Sequence, residues 1–218
     1  ARYRRAEDGS SASRWARQHW IVEATKAYFP THVHLTEPIS HGPYIFGMHP
    51  HGVFGVSYLG FLGTSGFQSF PGVEAFVGVA LALLRAPIVR DLFLSWGFVD
   101  ASQRVMRALL HQGKSLCIFL GSESEAFEFS KDGDIVLFLE SRRGFIRLAI
   151  EQGVSIVPTF CFGLNDVYTQ VHFQVWALNL KCAGEVVSCW AEKLVDAQTP
   201  RPTPALLGAF PVHAVRLR

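Results

Sequence analysis

The sequence predicts an α/β domain with a largely parallel central sheet flanked by helices. Three observations carry this. Continuous apolar runs such as Tyr44 to Met48, Ser115 to Leu120 and Val154 to Phe162 read as buried strands. Stretches with apolar residues at helical spacing lie between them, as in Val105, Met106, Leu109 and Leu110. No Pro/Gly/Ser-rich linker divides the 218 residues, so one large domain is expected.

Taken in order, Ala1 to about Arg14 is a charged, Ser-rich arm. Trp15 to Tyr28 reads as an amphipathic helix with Trp15, Trp20 and Ile21 available for one side, and Pro30 ends it. Pro43 to Met48 is the first strand, followed by a Gly-rich apolar segment that begins as a helix. Glu74 to Arg85 reads as a buried helix, broken by Pro87 before a second one, Ile88 to Leu94. Gly97 to Asp100 is a short strand. Ser102 caps the next helix, which Gly113 stops. Ser115 to Leu120 leads into the acidic loop Gly121-Ser122-Glu123-Ser124-Glu125. Ile135 to Leu139 is extended, Arg143 to Gln152 is a helix closed by Gly153, and Val154 to Phe162 is another strand. Beyond about Phe173 the pattern weakens, and Pro200 to Pro204 reads as a turn or tail. The boundaries are therefore an arm over residues 1–14, a domain over 15–173 and a divergent or truncated region over 174–218.

The composition narrows the function. Hydrophobic residues make up 49% and Phe numbers 18, enough for a large core and for apolar surface besides. A net charge of +2 without a basic stripe argues against nucleic acid. From Pro38 to Val73 there is no Asp, Glu, Lys or Arg, so this stretch is either buried or facing lipid. Its glycines and three histidines set it apart from a membrane span, which needs about 20 mainly apolar residues. The four cysteines lack paired metal spacing. Cys117 and Cys161 read as small hydrophobes, which fits a reducing, cytosol-facing environment. No secretory signal is visible in the polar N-terminus, and the first residue is Ala rather than Met, which leaves room for an upstream anchor.

Chemistry concentrates in His49-Pro50-His51-Gly52, directly after the first strand. Pro50 fixes a backbone angle between two imidazoles, and Gly52 lets the chain turn close to a substrate. A histidine so held is a general-base candidate, because its unperturbed pKa is about 6.5. His51 is the first choice and His49 the second. A carboxylate on the imidazole would orient it and stabilise its cation. Glu125 is the better source and Glu123 the runner-up, against the alternative of a solvated acidic turn. Sites in parallel sheets gather at carboxyl ends of strands, so the two loops can meet across the intervening chain. Arg142, Arg143 and Arg147 suit phosphates, or form a solvated helix end. The histidines at 32, 34, 41, 49 and 51 raise a zinc-dependent hydrolase as an alternative, without an acid or Cys pair among them. No Gly-x-Ser-x-Gly elbow supports a serine hydrolase.

Together these motifs resemble the diacylglycerol acyltransferase type 2 family, which also holds monoacylglycerol and wax-alcohol acyltransferases. The matching pieces are Tyr44 to Gly52, Phe70-Pro71-Gly72, Arg85 to Arg90, the Gly121 to Glu125 loop, Arg143 to Ala149 and Val157 to Tyr168, in the family's order. The resemblance covers about Trp15 to Phe173. It implies a glycerolipid-acyltransferase-like fold and acyl transfer from acyl-CoA to diacylglycerol, giving triacylglycerol by a His general-base mechanism. Monoacylglycerol or a long-chain alcohol is the alternative acceptor, and a non-catalytic lipid-binding relative or fragment the alternative role. The implied catalytic residues are His51, His49 and Glu125. Pro50, Gly52, Gly121, Arg142, Arg143, Gly144 and Asn165 are implied for substrate binding, with no metal and no cofactor beyond acyl-CoA as co-substrate. The implied setting is the cytosolic face of the endoplasmic reticulum membrane or a lipid-droplet surface. The sequence departs from the family at Leu164, where Glu is usual, and in lacking the family's N-terminal hydrophobic hairpin and recognisable C-terminal elements.

Overall fold

A computed structural model describes residues 8–39, 42–52, 55–87, 89–121, 125, 135–139, 142–164, 205–208 and 215–217. Its centre is a mixed sheet in the order β1-β8-β7-β2-β5-β3-β4. The strands are β1 (Thr31–His34), β2 (Tyr44–His49), β3 (Ala75–Val79), β4 (Phe98–Asp100), β5 (Ser115–Phe119), β7 (Ser155–Phe162) and β8 (Ala205–Gly208). The five from β7 through β4 are parallel, as the sequence predicts, while β8 runs antiparallel to β7. A separate pair joins β6 (Ile135–Leu137) to β9 (Val215–Leu217).

Strand alternation sorts the core into two layers. On β2, Phe46 and Met48 face one side with Val77 and Cys117. They pack under Tyr58 and Phe61 of a 3-10 turn (Val56–Phe61) and under Leu62 and Phe70, the residues on either side of helix α3 (Gly63–Ser69). Ile45, Phe76, Val99 and Leu116 face the other side. There they meet Val105, Leu109 and Leu110 of α5 (Gln103–His111) and Leu148 and Ala149 of α6 (Gly144–Gln152). Burying each such large apolar side chain contributes about 1.5–3 kcal/mol. The charge-free stretch is therefore largely core: Tyr58, Leu59, Phe61, Leu62, Phe70 and Val73 are all buried.

Two expected helices differ. The run from Glu74 to Arg85 is not one helix; it forms β3 and then a single 3-10 turn at Leu83–Arg85. A short apolar run that is buried on both faces has no periodicity to separate strand from helix, and Phe76-Val77-Gly78-Val79 suits a parallel interior strand. The segment from Trp15 to Tyr28 is split into α1 (Arg14–Arg17) and α2 (Trp20–Tyr28). His19 is extended and its Nδ1 accepts the Ile21 N–H at 3.4 Å, which caps a new helix. Helix α4 (Val89–Trp96) stands where a helix over Ile88 to Leu94 is expected, and it lies between β3 and β4. Among the described residues no helix is long and apolar enough to cross a membrane.

Candidate active site

The central strand β2 ends at His49, and its neighbour β5 ends at Phe119. From β2 the chain passes to β3 on one side of this pair, and from β5 it re-enters the sheet as β7 on the other. Loops leaving in opposite directions open a crevice at the carboxyl ends of parallel strands, where ligands bind in such sheets. His49, His51 and Glu125 stand there.

Glu125 is buried, and among the described residues its carboxylate accepts from three groups. Both carboxylate oxygens lie 3.1 Å from His49 Nδ1. The His51 backbone N–H donates to Oε1 at 2.7 Å, and the Phe138 N–H donates to Oε2 at 3.2 Å. A carboxylate can only accept, so in the neutral imidazole His49 Nδ1 carries the proton and Nε2 the lone pair. Nε2 is itself buried and has no hydrogen-bond partner among the described residues. An unsatisfied buried polar atom costs about 1–3 kcal/mol, and such atoms cluster where chemistry needs them.

The expected pairing of Glu125 with the ring of His51 is not the arrangement found. Glu125 meets His51 through its main chain, while the His51 ring turns its Nδ1 to the Gly52 carbonyl at 2.6 Å and rests 4.9 Å from the Phe119 ring. The carbonyl also only accepts, so His51 is held in the same tautomer as His49. The peptide bond from His49 to Pro50 is cis.

Two glycines make room for this. Gly121 lies so close to Glu125 that a Cβ would overlap the Glu125 Cβ, Cδ and Oε2. Gly52 has φ +61°, and a Cβ there would meet Leu164 Cγ at 2.8 Å. Leu164 is buried over it, so the position where the sequence departs from its resemblance sits directly on the histidine turn.

The other expected residues fall into place differently. Helix α6 ends just before β7 begins, so its start, with Arg142, Arg143 and Gly144, is at the carboxyl end of the parallel strands. Arg142 and Arg143 are both exposed. Glu123 and Asn165 lie outside the described residues. His32 and His34 are exposed on β1, and among the described residues no three of His, Cys, Asp and Glu converge on a metal-binding geometry. Burial pushes the Cys161 thiol up to about 12 and the Cys117 thiol higher still, so neither is a nucleophile near neutrality. Sequence reasoning missed the Phe138 N–H, a main-chain donor that leaves no signal in residue type. It also missed Phe119, whose place against His51 follows from the β2–β5 register.

Comparison with known proteins identifies the family. The model of the diacylglycerol acyltransferase family matches residues 3–185. Bovine 2-acylglycerol O-acyltransferase 1 is 35% identical over 173 residues, covering 76% of this chain and 51% of that protein. Human 2-acylglycerol O-acyltransferase 3 is 33% identical over 167 residues, 73% of this chain and 49% of that protein. Bovine diacylglycerol O-acyltransferase 2 is 30% identical over 173 residues, 76% of this chain and 48% of that protein. No solved structure matches. The chain spans about half the length of the curated relatives it matches. With the family's match running through the strands and loops that assemble the His49–Glu125 pair, the chain belongs to the diacylglycerol acyltransferase family.

Proposed function

We propose that this chain transfers a fatty acyl group from acyl-CoA to the free hydroxyl of diacylglycerol, giving triacylglycerol. The observation that carries the reading is the buried Glu125 carboxylate on His49 Nδ1, opposite an Nε2 that has no partner among the described residues. His49 Nε2 takes the hydroxyl proton as the oxygen attacks the thioester carbonyl. The tetrahedral intermediate collapses, the carbon–sulfur bond breaks, and the imidazolium returns the proton to the departing thiolate. Base assistance of this kind contributes about 10²–10⁴-fold. The His51 N–H is committed to Glu125, so the Gly52 N–H is the proposed donor to the oxyanion. His51, fixed by Gly52 and Phe119, lines the acceptor side. Arg142 and Arg143 serve the phosphates of CoA. The reaction calls for no metal or further cofactor, and its place is the cytosolic face of the endoplasmic reticulum or a lipid-droplet surface.

The named relatives include 2-acylglycerol enzymes as well as diacylglycerol ones, so monoacylglycerol is the second acceptor. The test is labelled acyl-CoA supplied to membranes from cells lacking neutral-lipid synthesis, expressing this chain, with diacylglycerol or monoacylglycerol. Label in triacylglycerol that falls about 100-fold or more in His49→Ala at equal protein level supports the reading. Loss confined to His51→Ala moves the base to His51. No product from the unaltered chain assigns it a non-catalytic, lipid-binding role.

A further inference from the structure

Helix α2 buries Val22 and Lys26 and leaves large apolar residues outside. Its two charged side chains are spent on the protein: Lys26 Nζ donates to the Leu62 carbonyl at 2.8 Å and to Ser65 Oγ, and Glu23 Oε1 accepts the Thr64 N–H at 2.8 Å. The Thr25 hydroxyl donates back to the Ile21 carbonyl. Glu23 stays exposed at the edge that meets Thr64, and the rest of the outward surface is Trp20, Ile21, Ala24, Ala27 and Tyr28, all exposed and all apolar or aromatic. Trp15 of α1 extends this face, with its ring 4.6 Å from His19, which in turn lies 5.7 Å from Trp20. Trp15 and Trp20 are 73% and 70% exposed, far from the usual burial of indole. The Ser13 N–H donates to the Ser95 carbonyl at 2.9 Å, tying α1 to α4, whose Val89 and Leu92 are also exposed.

We propose that the outer face of α1 and α2 seats the chain on a phospholipid surface, with Trp15, Trp20, Ile21 and Tyr28 entering the headgroup boundary. An exposed apolar face whose helix buries its lysine and ties its glutamate to a neighbouring main-chain N–H marks an interaction surface. Trp and Tyr, apolar in body and polar at the tip, are the residues that settle at a membrane–water boundary. Arg2, Arg4 and Arg5 precede this face in the sequence and Arg14 opens α1, cations that complement anionic headgroups. The inference rests on the acyl-transfer reading for its purpose, because the acceptor is itself dissolved in lipid.

The test is co-sedimentation of the purified chain with phosphatidylcholine vesicles, with and without phosphatidylserine. The W15E/W20E double variant changes only exposed side chains, and its fold is checked by circular dichroism. The expected result is vesicle binding by the unaltered chain, weakened at least about tenfold by the double variant and kept by W15F/W20F. His49→Gln should bind as the unaltered chain does, which separates failure of the catalytic reading from failure of this one. Undiminished binding by W15E/W20E overturns the proposal, and so does an unaltered chain that stays in the supernatant. A double variant that turns a dimer into a monomer without altering sedimentation assigns the face to a second copy and overturns it as well.

Discussion

Replacing Glu125 by Gln keeps the shape of the side chain and removes one acceptor. In the native arrangement one oxygen takes the His51 N–H at 2.7 Å, the other takes the Phe138 N–H at 3.2 Å, and both face His49 Nδ1. An amide has a single oxygen, so either orientation sets its NH₂ against a main-chain N–H, at a cost of about 1–3 kcal/mol for the buried donor left unpaired. Gln also sets both an NH₂ donor and an oxygen acceptor against His49 Nδ1, so the proton is no longer fixed on Nδ1, and the tautomer with Nε2 protonated lacks the lone pair that is to accept the substrate proton. Loss of base assistance alone predicts a fall in kcat of about 10²–10⁴-fold, and the wrong tautomer in a comparable His–carboxylate pair elsewhere costs about 10⁴. The assay is kcat/KM for labelled acyl-CoA with diacylglycerol at matched protein level, alongside thermal unfolding of the same preparation. A variant that folds and keeps activity within about threefold of the unaltered chain refutes the argument that Glu125 holds the base.

Gly121→Ala places a methyl group where the Glu125 side chain lies, so the carboxylate is driven off His49. Activity is expected to fall about 100-fold or more with the fold retained, read from the same kinetics and a melting curve. The buried thiols set a pH dependence of stability. Their ordinary value is 9.0; the folded chain holds the Cys161 proton up to about 12 and the Cys117 proton further. The unfolded chain releases these protons first, so stability is full below 9.0 and declines as pH rises, by about 1.4 kcal/mol per thiol at pH 10. Urea midpoints at pH 8 and pH 10 check this, and Cys161→Val should flatten the decline.

Much of the arrangement was legible because its signals are local. The parallel sheet follows from strands that are apolar throughout, and α5 from Val105, Met106, Leu109 and Leu110 sharing one face. His49, His51 and Glu125 were readable as a group since each directly follows a predicted strand, and parallel strands bring their carboxyl ends together. Which imidazole meets Glu125 was not legible. Two histidines separated by one proline have equal claim in sequence, and the choice depends on the close packing of Glu125 on Gly121, whose absent Cβ admits the carboxylate. The β3 strand was hidden for a similar reason: Ala75 to Val79 is buried on both sides, and a run without a polar face has no period to read. The outward face of α2 was visible only as Trp20 and Ile21 seeking a side. That Lys26 and Glu23 would turn toward α3 depends on contacts more than 35 residues away in the chain.

Strand β2 is hydrogen-bonded along both edges, to β5 and to β7, and the proposed base is its last residue. The main chain that carries the reactive nitrogen thus belongs to the part of the fold whose amides open last, while loops and termini fray at far lower free energy. Heat inactivation and global unfolding are one event in such a design. Substrate entry must then be accommodated by side chains and surrounding loops, since the strand beneath His49 has no independent freedom to yield.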